Sequence, residues 1–195
     1  MEIVMQTKKL YGMGIFLNNL ILTLLLTSCI INNKAVQYNK AVQYYTKYCK
    51  KIDIKEYYGY NIKKRNDAYI VYIKMNNEML MLPLLNYTVA NPNELKTFVE
   101  YESRFEKVSK EKAVSIIELK KTLHKLLTNF RNLQAVAIEG IYLDNYKSVK
   151  FYFTEKDILI YIPNESMNKY GTSLDSKKKI DNNWYYYQQL SGVTW

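Results

Sequence analysis

A chain of 195 residues has room for one domain of ordinary size, or for one domain and a tether. Its 48% hydrophobic and 24% charged residues are a globular composition, which excludes wholesale disorder, and six glycines and three prolines exclude collagen-like, Gly/Ser-rich and Pro-rich architectures. The formal charge of +10 points to a polyanionic partner: nucleic acid, an anionic membrane surface or an acidic polymer.

The first 29 residues choose among these by compartment. Lys8 and Lys9 stand against one acid, Glu2, in a positively charged start. An apolar run from Ile15 to Leu26 follows, interrupted by Asn18-Asn19. A membrane-spanning helix needs about 20 mostly apolar residues, so this run suits the apolar centre of an export signal. It ends in Leu26-Thr27-Ser28-Cys29, with Leu three positions before the junction, a small residue before it and Cys after it. This order resembles the signal peptide and lipobox of bacterial lipoproteins, and the resemblance covers the first 29 residues. It implies a diacylglyceryl group on the Cys29 sulfur, cleavage before Cys29, and acylation of the new amine with a chain such as palmitate. Several acyl chains at about 0.8 kcal/mol per buried CH₂ give durable anchoring, where one chain is marginal.

The expected organisation is a signal peptide over 1–28, a lipidated cysteine with a short tether over 29–33, and a single domain over 34–195. Removing 1–28 takes away two lysines and one glutamate and leaves a charge of +9. The resemblance places that domain in the bacterial cell envelope, facing the periplasm. There nucleic acid drops out as a partner, and lipid headgroups, anionic glycans or an acidic protein remain. Cys49 is then the one other cysteine, and a lone thiol in an oxidising envelope is either buried and inert or open to intermolecular pairing.

The predicted elements run as follows. Tyr38, Ala41, Val42, Tyr45, Cys49 and Ile52 form one apolar stripe at helical spacing, with Cys49 on the buried side. Residues 54–66 read as a loop or irregular strand. Residues 68–73 and 78–82 read as a β-hairpin turning at Asn76-Asn77 and stopping at Pro83. Asn91-Pro92-Asn93-Glu94 offers an N-cap, a proline at the first helical position and an acid, and predicts a helix through Leu95, Phe98 and Phe105. Ser109 could recap a second helix, whose stripe is Leu119, Leu123, Leu126, Leu127 and Phe130; one bent helix or two both fit. Beyond Leu133 the period becomes two: Val136, Ile138, Tyr142; Val149, Phe151, Phe153; and Ile158, Ile160, Ile162. Residues 163–180 read as a long loop, and Ile180 with 184–187 as a last strand. The predicted fold is α+β: an antiparallel sheet of about five or six strands with helices packed on one face.

The chemistry-bearing residues are few. The sole histidine, His124, borders an apolar stripe, and HExxH, CxxC, P-loop and dinucleotide patterns are absent, so neither a metal nor a nucleotide cofactor is expected. Glu102 and Glu106 share a helix face, the arrangement a carboxylate hydrolase would need, but Arg104, Lys107 and Lys110 are interleaved with them as on a solvated, ion-paired face. The 20 tyrosines are the more suggestive feature. Exposed tyrosines among lysines can stack on sugars or anchor a protein partner. The densest such stretches put Tyr57, Tyr58, Tyr60, Lys63, Lys64 and Arg65 together with Trp184, Tyr185 and Tyr187 as a candidate binding surface. Compositional bias and the strand preference of tyrosine are the plain alternative. The expected function is therefore a non-enzymatic binding module tethered through Cys29, its partner a protein or an anionic envelope polymer. A toxin-neutralising, immunity-type lipoprotein and a hydrolase built on Glu102 and Glu106 are the alternatives.

Overall fold

The computed structural model describes residues 23, 27, 33–65, 68–75, 78–85, 91–143, 146–163 and 177–189. The turns expected at 76–77 and 144–145, the side chain of Tyr142 and most of the loop expected over 163–180 lie outside the described residues. Contacts divide the chain into Met1–Lys40 and Ala41–Trp195, and the second unit holds the sheet. A helix over 33–44, α1, continues as a π-helical turn over Tyr45–Cys49, closed by the Lys50 amide donating to the Tyr45 carbonyl at 3.0 Å. Within the second unit Ala41, Tyr45 and Cys49 form its buried stripe, so Cys49 lies inside as its spacing predicts.

Among the described residues nine strands form one antiparallel sheet, where five or six were expected. The first half is β1 (Tyr60–Arg65), β2 (Ala68–Met75), β3 (Glu78–Leu85) and β4 (Lys96–Thr97). The second is β5 (Ala137–Leu143), β6 (Tyr146–Tyr152), β7 (Asp157–Tyr161), β8 (Lys178–Asp181) and β9 (Trp184–Gln188). The spatial order is β4-β3-β2-β1-β5-β6-β7-β9-β8. Two helices, α2 (Glu102–Glu111) and α3 (Ile116–Asn132), carry the chain from the β4 edge back to the centre of the sheet.

The extra strands come from three places. Residues 60–65 pair with both β2 and β5, so the expected irregular segment is a central strand. The Asn91 side chain does accept from the Asn93 amide at 3.0 Å, but only a 3-10 turn over Pro92–Glu94 follows. Leu95, fully buried, ends that turn, and Lys96–Thr97 pair with β3 before a second 3-10 turn, Val99–Tyr101, opens α2. The last residues of the expected 163–180 loop pair with β9 as the edge strand β8.

Of the two expectations, one bent helix or two, the structure has two. Ala113 has a positive φ of 52° between them, and Ser115 and Glu118 form a full capping box at the start of α3. Ser109, expected as the cap, donates instead to the Val114 carbonyl. Strand β3 also runs through Pro83, where a stop was expected. The Pro83 carbonyl accepts from the Thr97 hydroxyl, which lies on the β4 side. The nitrogen of a strand residue points the same way as its carbonyl, so the missing N–H costs no ladder bond with β2.

The register places Ile62, Tyr69, Val71, Phe151, Phe153, Leu159 and Trp184 on one face. The helices rest there. Phe130 of α3 meets Tyr69 edge-on at 5.4 Å, Tyr44 stacks on Phe153 at 4.9 Å, and Tyr45 lies 5.2 Å from Trp184. Burying an aromatic ring such as Phe130 contributes about 1.5–3 kcal/mol. Helix α2 guards the β3 edge: Arg104 donates to the Met81 carbonyl at 2.7 Å and Lys107 pairs with Glu78, on a strand that β4 is too short to cover. Ile158 and Ile160 are fully buried on the opposite face, so β7 is covered on both sides.

The two halves of the sheet join through only three residue pairs, Asn61–Glu139, Ile62–Ile138 and Lys63–Ala137. Past them the chain of β1 turns away. The Gly140 amide takes the Asn61 side-chain oxygen at 3.0 Å, and the Gly140 carbonyl takes the Gly59 amide at 3.2 Å. This join holds Tyr57 in place, because the Tyr57 carbonyl passes directly over Gly140.

Candidate functional site

Three chain ends meet beside Tyr57. They are the exit of the π turn (Lys47 to Asp53), a 3-10 turn over Ile54–Tyr57, and the last turn of α3 with its exit at Leu133. Each is held by local chemistry. The Asp53 side chain caps the 3-10 turn by accepting from the Lys55 amide at 3.1 Å. Tyr44 donates to the Leu133 carbonyl and Tyr48 to the Gln134 side chain, both at 2.7 Å, which ties residues 44–48 to the end of α3. Gln134 adopts φ 52°, the left-handed residue that stops α3.

Between these ends lies a cleft of about 350 Å³, lined by Lys47, Tyr48, Lys51, Ile52, Asp53, Glu56, Tyr57, Asn129, Asn132 and Leu133. Of its two acids, Asp53 accepts the Lys55 amide of its own turn and Glu56 is ion-paired. Glu56 pairs with Lys125 and accepts from the Asn129 amide at 3.1 Å. The Glu56 bond in turn holds the Lys125 ammonium above its usual pKa. Lys47 lies 4.8 Å over the Tyr48 ring, and among the described residues neither Lys47 nor Lys51 has a carboxylate within ion-pair distance.

Tyr57 is the unusual member. Its side chain is fully buried, with its ring 5.6 Å from Phe151, yet its hydroxyl has no hydrogen-bond partner among the described residues. Burial first, and the nearby Glu56 charge second, push that hydroxyl far above the usual tyrosine range, so it stays neutral. Burial likewise keeps the Cys49 thiol protonated, and Cys49 is free. A neutral, buried thiol is a poor nucleophile.

The tyrosine-rich stretches meet inside the protein, not on its surface. Tyr57, Trp184 and Tyr185 are 0%, 6% and 8% exposed, so these three belong to the core. A ring-to-ring path runs from Tyr57 to Phe151 at 5.6 Å and on to Trp184 at 5.6 Å. Tyr58, Tyr60 and Lys63 are half-buried, and Lys112 sits 5.2 Å over the Tyr60 ring. Lys64 and Arg65 are exposed at the end of β1, but alternation sends them to opposite faces. Tyr187 is half-buried under Lys177, three strands away from β5. The expected single surface is therefore replaced by a core path with scattered half-buried rings.

Glu102 and Glu106 are exposed on α2, and neither lines the cleft. His124 is half-buried on α3 and is also absent from the lining. Among the described residues no group of three or more His, Cys, Asp or Glu side chains could hold a metal ion. No described helix is long and apolar enough to cross a membrane. Cys29 lies outside the described residues.

Sequence reasoning passed over the cleft. Lys47 and Lys51 look like charges that complement a helix C-terminus, and Asn129 and Asn132 like the polar side of α3. The available signal was Asp53 two residues before Lys55, a turn cap that closes the space between two helix ends. No protein-family model, curated protein or solved structure matches the chain, so the functional reading rests on these residues.

Proposed function

We propose that the protein is a lipid-anchored, non-enzymatic binding protein of the bacterial cell envelope, tethered through Cys29 and facing the periplasm. The anchor is supported by the order of basic start, apolar run and Leu26-Thr27-Ser28-Cys29. The binding role is carried by one observation: a cleft of about 350 Å³ in which Lys47 and Lys51, without a carboxylate in ion-pair distance among the described residues, stand beside Tyr48, Ile52 and Leu133. Cavities of about 300–1,000 Å³ with few convergent polar groups are the usual form of a ligand site. An anionic component of the envelope, or an acidic side chain of a protein partner, fits the charge of +9 left once residues 1–28 are removed.

Intact mass tests the anchor. The full chain is expressed in a bacterium beside Cys29→Ala, and the membrane-extracted product is weighed. The expected wild type lacks residues 1–28 and carries acyl mass on Cys29, and the variant carries none. A wild-type chain that keeps Met1 and has no acyl mass overturns the anchor.

A further inference from the structure

The side of the sheet away from the helices is charged unevenly. The register that sets Ile62, Val71 and Phe151 against the helices sends Lys63 and Arg65 of β1, Lys74 of β2, Glu139 of β5 and Lys150 of β6 to the other side. Lys63, Lys74 and Lys150 are half-buried there, and Arg65 is exposed. Lys177 joins them: its ammonium lies 5.1 Å over the ring of Tyr187, which pairs with Ile158 on that side. Burial first, and the Lys150 charge second, lower the Lys177 pKa, so these two cations are neighbours. Among the described strand residues Glu139 is the one acid on this side, and it already accepts from Lys150 at 2.7 Å. The exposed acids Glu102, Glu106, Glu111 and Glu118 stand on α2 and α3, across the sheet.

These cations do not converge on one point. Lys74 and Lys150 are three strands apart, about 14 Å at about 4.8 Å per strand. Arg65 pairs with Ala68, six residues from Lys74, or about 20 Å at about 3.4 Å each. A small ligand cannot span them, whereas a flat anionic surface meets them together. The rings on this side give a polysaccharide little to stack on: Tyr152 and Tyr185 are buried, and Tyr187 lies under Lys177. A second copy of the chain would set like charges against each other.

We propose that this side of the sheet is a second membrane contact, with Lys63, Arg65, Lys74, Lys150 and Lys177 set against the anionic headgroups of the lipid surface that holds Cys29. The proposal rests on the anchor proposed above and is separate from the cleft, which none of these residues lines. Each lysine or arginine near an anionic leaflet strengthens the contact about fivefold. With acyl chains already giving durable attachment, the patch sets orientation. It turns the helical layer away from the bilayer.

Lysine labelling on vesicles tests this. The full chain is reconstituted in phosphatidylcholine vesicles, with or without phosphatidylglycerol, and acetylated with a reagent that does not cross the bilayer. Each lysine is read by mass spectrometry against Lys121, exposed on α3. With phosphatidylglycerol, Lys63, Lys74 and Lys177 should react at least about fivefold more slowly, and Lys121 at an unchanged rate. Salt at about 1 M, which cuts the Debye length to about 3 Å, should abolish the difference. Lys63→Gln combined with Lys74→Gln should remove most of the protection at Lys177, whereas Lys110→Gln, on α2, should leave it unchanged. Equal rates in both vesicles, or slowing at Lys121 but not at Lys63 and Lys74, would overturn the proposal. Slowing by dextran sulfate on phosphatidylcholine vesicles, with none from phosphatidylglycerol, assigns the face to an anionic polysaccharide and overturns it too. The labelling reads which side meets lipid whether residues 1–28 or acyl chains on Cys29 hold the chain. Failure of the anchor therefore shows separately, in the mass of the Cys29 product.

Discussion

Replacing Gly140 by alanine tests how the two halves of the sheet are joined. A Cβ added there would sit 1.7 Å from the Tyr57 carbonyl oxygen, 2.8 Å from its carbonyl carbon and 2.8 Å from the Tyr60 carbonyl oxygen. Ordinary contact between such atoms is about 3.5 Å, so something must move by roughly 2 Å. All three neighbours are backbone. The Tyr57 side chain is locked in the core, and Gly59 is pinned by its bond to Gly140 at 3.2 Å and by the Lys74 amide at 2.8 Å. Relief therefore breaks both the Gly59–Gly140 bond and the Gly140–Asn61 bond, at about 1 kcal/mol each, on top of an overpacking cost of about 1–3 kcal/mol. The expected loss is about 3–5 kcal/mol, a large share of a total stability of about 5–15 kcal/mol. With a urea slope of about 2 kcal/mol/M the midpoint should fall by about 1.5–2.5 M. Gly59→Ala is the control. Its φ is +80°, but the nearest atom to its Cβ is the Lys74 Cβ at 3.9 Å, so it carries only the left-handed backbone cost of about 1–2 kcal/mol. If Gly140→Ala lost less than about 1 kcal/mol, or less than Gly59→Ala, the close passage of Tyr57 over β5 would be wrong.

Further outcomes follow from single contacts. Asp157 is buried and accepts from Tyr186 at 2.8 Å, Gln188 at 2.7 Å and Thr154 at 2.7 Å. Asp157→Leu should cost about 2–4 kcal/mol in urea unfolding by stranding the Tyr186 hydroxyl, while Asp157→Asn, which keeps an acceptor, should cost about 1 kcal/mol. The Tyr45 hydroxyl donates to Asp181 at 2.7 Å, and that bond first, then the Asn182 amide, holds the Asp181 carboxyl below its usual pKa. A depressed folded-state pKa contributes stability above the unfolded carboxylate value and loses it as pH falls through the folded one. The stability gap between wild type and Tyr45→Phe should therefore narrow as pH drops below about 4 in acid-unfolding curves. Cys49, buried and with its thiol pKa raised, should not react with a thiol reagent in the native chain at pH 8, yet should titrate fully in urea. Prompt native reaction would place Cys49 at the surface.

Local patterns were the legible part of this fold. The β2–β3 hairpin, the stripe of α3 and the buried side of Cys49 each follow from residues close in sequence, and each stands in the structure. The misreadings share one cause, a partner that sequence spacing does not show. Asn91-Pro92-Asn93-Glu94 opens a helix by its own chemistry, and the cap forms, but Leu95 is drawn fully into the core and Lys96–Thr97 pair with β3. Residues 60–65 look like a solvated basic stretch until β2 and β5 take them from both sides. Ile158, Ile160 and Ile162 alternate as if one face were inward, yet Leu159 is equally buried, because β7 is covered on both faces and an unbroken apolar run is the proper signature of such a strand. The cleft was least legible for the same reason. Lys47 and Lys51 stand some 80 residues from Asn129 and Asn132, and what brings them together is a pair of tyrosine hydroxyls, Tyr44 on Leu133 and Tyr48 on Gln134. Tyrosine abundance did mark something about this molecule. These hydroxyls and rings fasten one helix end to another and line the core path from Tyr57 to Trp184, so the richness that suggests an outer binding surface acts mainly as internal fastening. Tyr57 is where that fastening is incomplete: its ring is packed like the rest, and its hydroxyl, like that of Ser148, is left without a partner among the described residues.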